Sequence, residues 1–182
     1  MRSTLIALIA LILGLLVVAG CQITSPSVHP DATAEYDATM LGQISELLGD
    51  WEMTDEEGTR HHAATFAMTA GGSAVREIMF PGDAQEMTNL YHMDGGDLVI
   101  THYCAAGNQP RMVASKAVET DAGTVFHFEL DSVSNLRESH DHYMGDMTLT
   151  ILKAGGLRQD WRSYDREGNL TEPMTFMLSR MN

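Results

Sequence analysis

From Gly49 onward, turn signals recur at short, nearly regular intervals, and this spacing constrains the fold more than any other feature. The turns lie at 70–72, 81–83, 94–96, 121–123, 154–156 and 165–169. They separate short runs that are rich in Val, Thr, Phe, Tyr and Met and alternate in polarity. Such runs predict an antiparallel meander of about ten strands. No long helical pattern lies between them, which excludes βαβ units.

A meander of this length closes into a barrel or curls into a sandwich, and closure removes the exposed strand edges. We therefore expect an all-β fold, an antiparallel up-and-down β-barrel of about ten strands over residues 40–182. Apolar residues at helical spacing come at the start of this range, before the first strand, and predict one short N-terminal helix. These are Met40, Leu41, Ile44, Leu47 and Leu48.

The first 20 residues have a different character, since Arg2 is their only charge and residues 4–20 are mostly apolar. This layout is typical of an export signal. Val18, Ala19, Gly20 and Cys21 resemble the lipobox of bacterial lipoproteins. That resemblance implies that residues 1–20 are removed and that Cys21 is acylated. With Gln22 next, it also implies an outer-membrane protein that faces the periplasm. The alternative is an uncleaved transmembrane anchor.

Residues 21–39 are rich in Ser, Thr, Pro, Ala and Asp and have no apolar periodicity, which predicts a lipidated, flexible tether. The formal net charge is −14, and loss of Arg2 would make it −15. So acidic a surface repels phosphate backbones and anionic head groups. The composition argues against nucleic-acid binding, and the lipid must supply the membrane contact. If Cys21 is acylated, Cys104 has no disulfide partner in the chain.

Two further resemblances concern the barrel. Gly49 and Trp51 open the first predicted strand and Arg180 ends the last, as in the calycin group of lipocalins, fatty-acid-binding proteins and nitrobindin-like haem barrels. That resemblance implies that these three residues close one barrel end. Residues 101–112 resemble a bacterial domain family that implies the fold and no activity.

The most unusual stretch runs from His102 to Arg111. On a strand, His102 and Cys104 share one face and Tyr103 takes the other. In one interpretation, His102 and Cys104 line the barrel mouth and contact a ligand or metal ion, with Arg111 nearby as an anion clamp. In the other, His102 satisfies a buried backbone group, Cys104 packs and Arg111 is solvated.

A second candidate site lies in the predicted long loop from Ser132 to Gly145. His140 and His142 could present two nitrogens to one cation, with His102 or His127 as a third ligand. The alternative is a solvated acidic loop. The chain also has 13 methionines. Thioethers suit copper(I), but the methionines are scattered over many strands, which favours adaptable packing around a cavity.

The sequence contains no Gly-x-Ser-x-Gly, His-Glu-x-x-His or P-loop motif, so a binding module is favoured over an enzyme. The leading hypothesis is a small apolar or amphipathic ligand inside the barrel, contacted by His102, Tyr103, Arg111 and Trp161. A haem or metal carrier that uses mouth histidines is the second. The third is an interaction lipoprotein whose barrel is filled and whose protein partner is unknown.

Overall fold

The structure is a computed structural model that describes residues 39–137, 142–165 and 167–181. The predicted signal and most of the predicted tether lie outside these residues. One short helix precedes eleven strands. These elements are α1 (Met40–Ser45), β1 (Gly49–Thr54), β2 (Arg60–Thr69), β3 (Ala74–Met79), β4 (Met87–Asp94), β5 (Asp97–Tyr103), β6 (Gln109–Ala114), β7 (Ala117–Glu119), β8 (Gly123–Ser134), β9 (Tyr143–Leu152), β10 (Gly156–Tyr164) and β11 (Met174–Arg180).

The strand pairs are all antiparallel, and two pairings between strands that are not consecutive complete the barrel. β1 pairs with β11, and β6 pairs with β8. β7 pairs with the first part of β8 and β6 with the rest, so β6 and β7 occupy one position in the sheet. The fold is a closed ten-stranded antiparallel β-barrel, as the turn spacing predicts. The short N-terminal helix is also confirmed.

The prediction of a long loop from Ser132 to Gly145 is wrong at both ends. β8 continues through Ser134, which pairs with Gln109, and β9 begins at Tyr143. The polar residues at the end of β8 are solvent-exposed, yet their backbone stays in the ladder with β6. Backbone pairing does not require apolar side chains, and the apolar pattern was the only signal available in the sequence.

The helix α1 covers one end of the barrel. The side chain of Thr39 caps it by accepting a hydrogen bond from the backbone N–H of Gly42. Leu41, Ile44 and Leu47 are fully buried, and α1 packs against β3, β4 and β5. No helix among the described residues is long and apolar enough to cross a membrane.

Candidate functional site

The inward faces of β3, β4 and β5 form two neighbouring rows at the end of the barrel opposite α1. Because side chains alternate along a strand, residues two apart share a face. Glu77 pairs with Asn89, and Asn89 pairs with His102. Met79 pairs with Met87 in the next row outward. The first row is polar and the second contains sulfur.

The polar row lies inside a buried hydrogen-bond network centred on Glu77. Its Oε2 accepts hydrogen bonds from Asn89 Nδ2 and from the Tyr91 hydroxyl, each at 2.7 Å. From the opposite wall, Gln159 Nε2 donates to Glu77 Oε1 at 2.7 Å. Burial raises the pKa of the Glu77 carboxyl, against the three donated hydrogen bonds, which lower it. This network fills the middle of the barrel and ties β3, β4 and β10 together.

His102 is held by the edge of this network. The Asn89 amide nitrogen donates to Glu77, so its carbonyl oxygen is the atom that accepts from His102 Nδ1, at 2.7 Å. In the neutral ring, Nε2 is then the nitrogen without a proton. His102 Nε2 is buried and has no hydrogen-bond partner among the described residues. Burial lowers the pKa of His102 from 6.5 to about 4. The ring is therefore a neutral electron-pair donor at ordinary pH.

His102 lines a cavity of about 560 Å³ at the open end of the barrel, which we call the mouth pocket. Most of its walls are methionine and aromatic side chains. The lining residues are Met79, Phe80, Gln85, Met87, His102, Cys104, Ala105, Ala106, His142, Met144, Trp161, Met174 and Phe176. Within the part of the chain that the structure describes, no carboxylate lines this pocket. Trp161 packs beside His102, with ring centroids 5.0 Å apart. A mainly apolar pocket with few polar groups is typical of small-molecule sites.

A β-bulge brings Met144 into the mouth pocket. Asp146 pairs with Arg162 and Met144 pairs with Ser163, so Gly145 is an extra residue in β9. Since a bulge reverses the alternation beyond it, Met144 and Met147 both face the interior although they are three residues apart. A side chain on Gly145 would collide with the Tyr164 ring, at 2.3 Å.

Phe80 lies on the rim of the mouth pocket in an unusual backbone conformation. Its φ is +54°, although it is not glycine and precedes Pro81, which disfavours helical backbone in the residue before it. Its backbone N–H donates to the carbonyl of Ala63 at 2.8 Å. Its ring meets that of Phe176 edge-on, with centroids 5.6 Å apart. Strained conformations of this kind concentrate at ligand sites.

The structure brings three of the five predicted ligand contacts together and separates the other two. His102, Cys104 and Trp161 line the mouth pocket. Tyr103 is 46% exposed, on the outward face of β5. Arg111 lies on the outside of the barrel and donates to Asp94 at 2.8 Å and to Asp131 at 2.6 Å. Its hydrogen bond lowers the pKa of Asp131. The alternation within β6 directs Met112, and not Arg111, to the interior.

The predicted metal ligands divide between several places. His140 lies outside the described residues. His142 lines the mouth pocket, and its backbone carbonyl accepts a hydrogen bond from Asn108 Nδ2 at 3.0 Å. His127 is half exposed on the outer face, where its Nδ1 lies 3.0 Å from Thr148 Oγ1. Among the described residues, no group of three or more His, Cys, Asp and Glu side chains could hold a metal ion.

Gly49, Trp51 and Arg180 meet at the opposite end of the barrel. The Arg180 guanidinium lies over the Trp51 ring, 4.5 Å from its centroid. It also donates to the backbone carbonyls of Leu48 and Glu46. Trp51 Nε1 donates to the carbonyl of Leu47 at 2.7 Å. These contacts fasten the end of α1 to the first and last strands.

Sequence reasoning missed Glu77, Asn89 and Gln159, the polar residues that fill the middle of the barrel. Their strands carry no clean alternation, since Arg76 and Glu77 are adjacent and Asn89 follows Thr88. Glu77 lies two residues after Val75, and Asn89 lies two residues before Tyr91, so each shares a strand face with an apolar residue. This spacing was the available signal in the sequence. Spacing alone cannot show whether a carboxylate on that face points inward or whether the register shifts by one residue and turns it outward.

Comparison with known proteins supports the fold. No protein-family model matches the chain, and the curated proteins contain no significant relative. Among solved structures, the crystal structure of Rv2717c from M. tuberculosis is similar, with a TM-score of 0.53 and 15% sequence identity. The match covers 78% of this chain and 97% of that chain. At this low sequence identity, the structural similarity shows a shared barrel architecture alone.

Proposed function

We propose that this protein is a lipid-anchored cell-envelope binding module whose mouth pocket holds a small, largely apolar molecule. The observation that carries the proposal is His102, which lines a pocket of about 560 Å³ and whose buried Nε2 has no hydrogen-bond partner among the described residues. An unpaired buried polar atom costs about 1–3 kcal/mol, which a ligand donor would recover. The expected ligand has an apolar body and one N–H or O–H group.

The lining supports an adaptable rather than a rigid recognition mode. Thioether side chains have several rotatable bonds and fit irregular apolar shapes. The rings of Trp161, Phe80 and Phe176 supply larger flat contacts. The fixed element is His102, because Asn89 and the Glu77 network hold its ring. Orientation would therefore come from one hydrogen bond and affinity from apolar burial.

The anchoring half of the proposal rests on Cys21 and the apolar segment before it. Several acyl chains on one cysteine give stable attachment to a membrane, and the tether would hold the barrel clear of the head groups. Metabolic labelling with a palmitate analogue tests this half. We expect the wild-type chain to be labelled and the Cys21→Ser variant to be unlabelled. An unlabelled wild-type chain would overturn lipidation and leave the pocket proposal standing.

Two related dyes test the pocket half. N-phenyl-1-naphthylamine is apolar and carries one N–H, and its N-methyl analogue lacks that donor. We expect the full chain in detergent to bind the first dye about three- to tenfold more tightly, the worth of one net hydrogen bond. Energy transfer from Trp161 to the dye is the signal, since Trp161 lines the pocket. Trp161→Phe should remove that transfer and leave the emission of Trp51.

His102→Phe is the decisive variant for the same dyes, because it keeps a ring and removes the acceptor. We expect it to bind both dyes with equal affinity. Tyr103→Phe is the matched control, since Tyr103 lies on the outer face of the same strand, and it should retain the preference. Absence of transfer from Trp161 in the wild-type chain would contradict a ligand in the mouth pocket and favour the interaction-lipoprotein alternative.

A haem carrier is a second candidate, favoured by the same nitrogen. The residues fit the group, because a neutral imidazole whose Nδ1 donates to a fixed acceptor is the usual form of an iron ligand. Bound haem would supply reversible ligand or electron chemistry at its iron, and His102 would hold that iron. Addition of haemin to the full chain should then produce a Soret band that His102→Gln shifts or removes.

A further inference from the structure

The methionines that the sequence scatters meet a thiol in one row at the mouth pocket. Met79 on β3 pairs with Met87 on β4. Thr88 pairs with Tyr103, so the position opposite Met87 along β5 is Cys104, just past the strand end. All three side chains line the mouth pocket. Inward neighbours on adjacent strands have Cβ atoms about 4.5–5.5 Å apart, a distance that long thioethers bridge. We call Met79, Met87 and Cys104 the sulfur row.

His102 belongs to the row next to these sulfurs. It lies two residues before Cys104 on the same face, and Asn89 links it to Met79. The Asn89 amide nitrogen lies 3.3 Å from Met79 Sδ, and its carbonyl oxygen lies 2.7 Å from His102 Nδ1. His102, whose buried Nε2 has no hydrogen-bond partner among the described residues, therefore lines the same pocket as Met79, Met87 and Cys104. One imidazole nitrogen and three sulfurs come from three adjacent strands.

We propose that the sulfur row and His102 form a binding site for a soft monovalent cation, copper(I). Thiolate and thioether sulfur select copper(I), and neutral imidazole also suits it. Hard divalent ions prefer carboxylate oxygens, and none of the described residues that line the mouth pocket has a carboxylate. The chain from Glu77 through Asn89 to His102 has the form of the outer-shell partners that fix a metal-binding imidazole.

Binding of Cu⁺ in the mouth pocket would not change the net charge of the pocket. Binding of Cu⁺ with loss of the Cys104 thiol proton adds one positive and one negative charge, so the net charge of the pocket does not change. The proton leaves to solvent, as is usual when a thiol becomes a metal ligand. The Met79 and Met87 thioethers and His102 Nε2 are neutral donors. The site thus admits the ion without an unpaired buried charge.

This inference goes beyond the proposed function, because it needs only the sulfur row and His102 and no organic ligand. Its test uses the full chain in detergent with Cys21→Ser, which leaves Cys104 as the single thiol of the chain. Copper(I) is supplied without oxygen as its coloured bicinchoninate complex. We expect the protein to withdraw one equivalent of copper(I), and X-ray absorption to show both nitrogen and sulfur neighbours.

Three variants and one matched control locate the site. His102→Gln, Met87→Leu and Cys104→Ser should each weaken copper(I) binding by about tenfold or more. Met177→Leu is the control, because Met177 is 53% exposed on the outward face of β11, and it should bind as the wild type does. Thermal unfolding of each apo variant checks that the barrel is intact.

Two outcomes would overturn the inference. One is a protein that withdraws no copper(I) from bicinchoninate, and the other is unchanged binding in both His102→Gln and Met87→Leu. The dye experiment keeps this failure separate from that of the proposed function. A chain that binds the N–H dye and withdraws no copper(I) refutes the metal site alone, whereas copper(I) binding without dye binding refutes the apolar ligand alone.

Discussion

The two tryptophans of this chain lie near opposite ends of the barrel, and their surroundings differ in kind. Trp51 is 2% exposed, packs edge-on against Phe66 and is covered by Arg180, while its Nε1 donates to the carbonyl of Leu47. Trp161 is 3% exposed but forms a wall of the mouth pocket beside His102. The first end is sealed by α1, and the second is lined by methionines around a cavity.

Two equally buried tryptophans can therefore have different roles, one in stability and one in lining a cavity. At the sealed end, every polar group that we describe around Trp51 has a partner, so the contacts act on stability. At the open end, His102 Nε2 has no hydrogen-bond partner among the described residues, and Phe80 holds a strained conformation. Proteins keep such features where a ligand compensates for them. The Glu77 network separates the two ends.

The largest expected effect is the difference in stability between variants of the two tryptophans. We expect Trp51→Ala to lower the free energy of unfolding by about 3–5 kcal/mol, because it leaves an enclosed cavity and removes the cover of Arg180. Trp161→Ala should cost about 2–3 kcal/mol, since the space it leaves opens into the mouth pocket. Urea unfolding followed by circular dichroism measures both. Equal costs would show that the open end is as tightly packed as the sealed one.

Acid should destabilise the apo-protein through His102. Its pKa is about 4 in the native state and 6.5 when unfolded, so between these values only the unfolded chain takes up the proton. Stability therefore falls as the pH drops from 6.5 to 4, by about 3 kcal/mol in total. Unfolding free energies measured across this range test the sign and the size.

His102→Gln provides the control for the pH series, because it cannot titrate there. The raised pKa of Glu77 acts in the opposite sense, since its contribution is lost as the pH rises, and it is present in both proteins. The difference between wild type and variant isolates His102. A difference that does not change with pH would mean that His102 is not held neutral by burial.

Gly49→Ala tests the sealed end without creating a cavity. Gly49 has a φ of +117°, and a side-chain carbon there would lie 3.4 Å from Arg180 Nη1. We expect a loss of about 1–2 kcal/mol from backbone strain at this positive φ, in a position that packs against Arg180. Gly96→Ala is the control, because a side-chain carbon on Gly96 would have no atom within 4 Å. Its free energy of unfolding should stay within about 0.5 kcal/mol of the wild-type value. Equal thermal shifts for the two variants would contradict the role of Gly49.

The smallest effect should come from Met144, on the wall of the mouth pocket. We expect Met144→Ala to cost less than about 1 kcal/mol, because it enlarges a cavity that already exists. Met147→Ala on the same strand should cost about 2–5 kcal/mol, since Met147 is fully buried in the core. Thermal unfolding compares the pair. A Met144 cost as large as that of Met147 would mean that the pocket walls are part of the rigid core.

The fold could be predicted from the sequence more fully than the residues of the mouth pocket. Turn residues and alternation are local signals, so the meander, its closure and the short helix could be predicted from the sequence. Alternation also predicts that His102 and Cys104 share one face of their strand, but it does not say which face points inward. Tyr103 and Arg111 were grouped with them by proximity in sequence, but each lies one position out of phase with an inward residue.

The all-β class, the net acidic charge and the apolar first segment follow from the sequence alone, because each depends on composition or short-range spacing. Which strand faces point inward depends on the tertiary structure, since one bulge or a one-residue shift reverses every side chain beyond it. The tertiary structure also brings together side chains from different strands of the barrel. Glu77 and Gln159 lie far apart in the chain yet share a hydrogen bond, and the sulfur row forms only when three strands pair in one register.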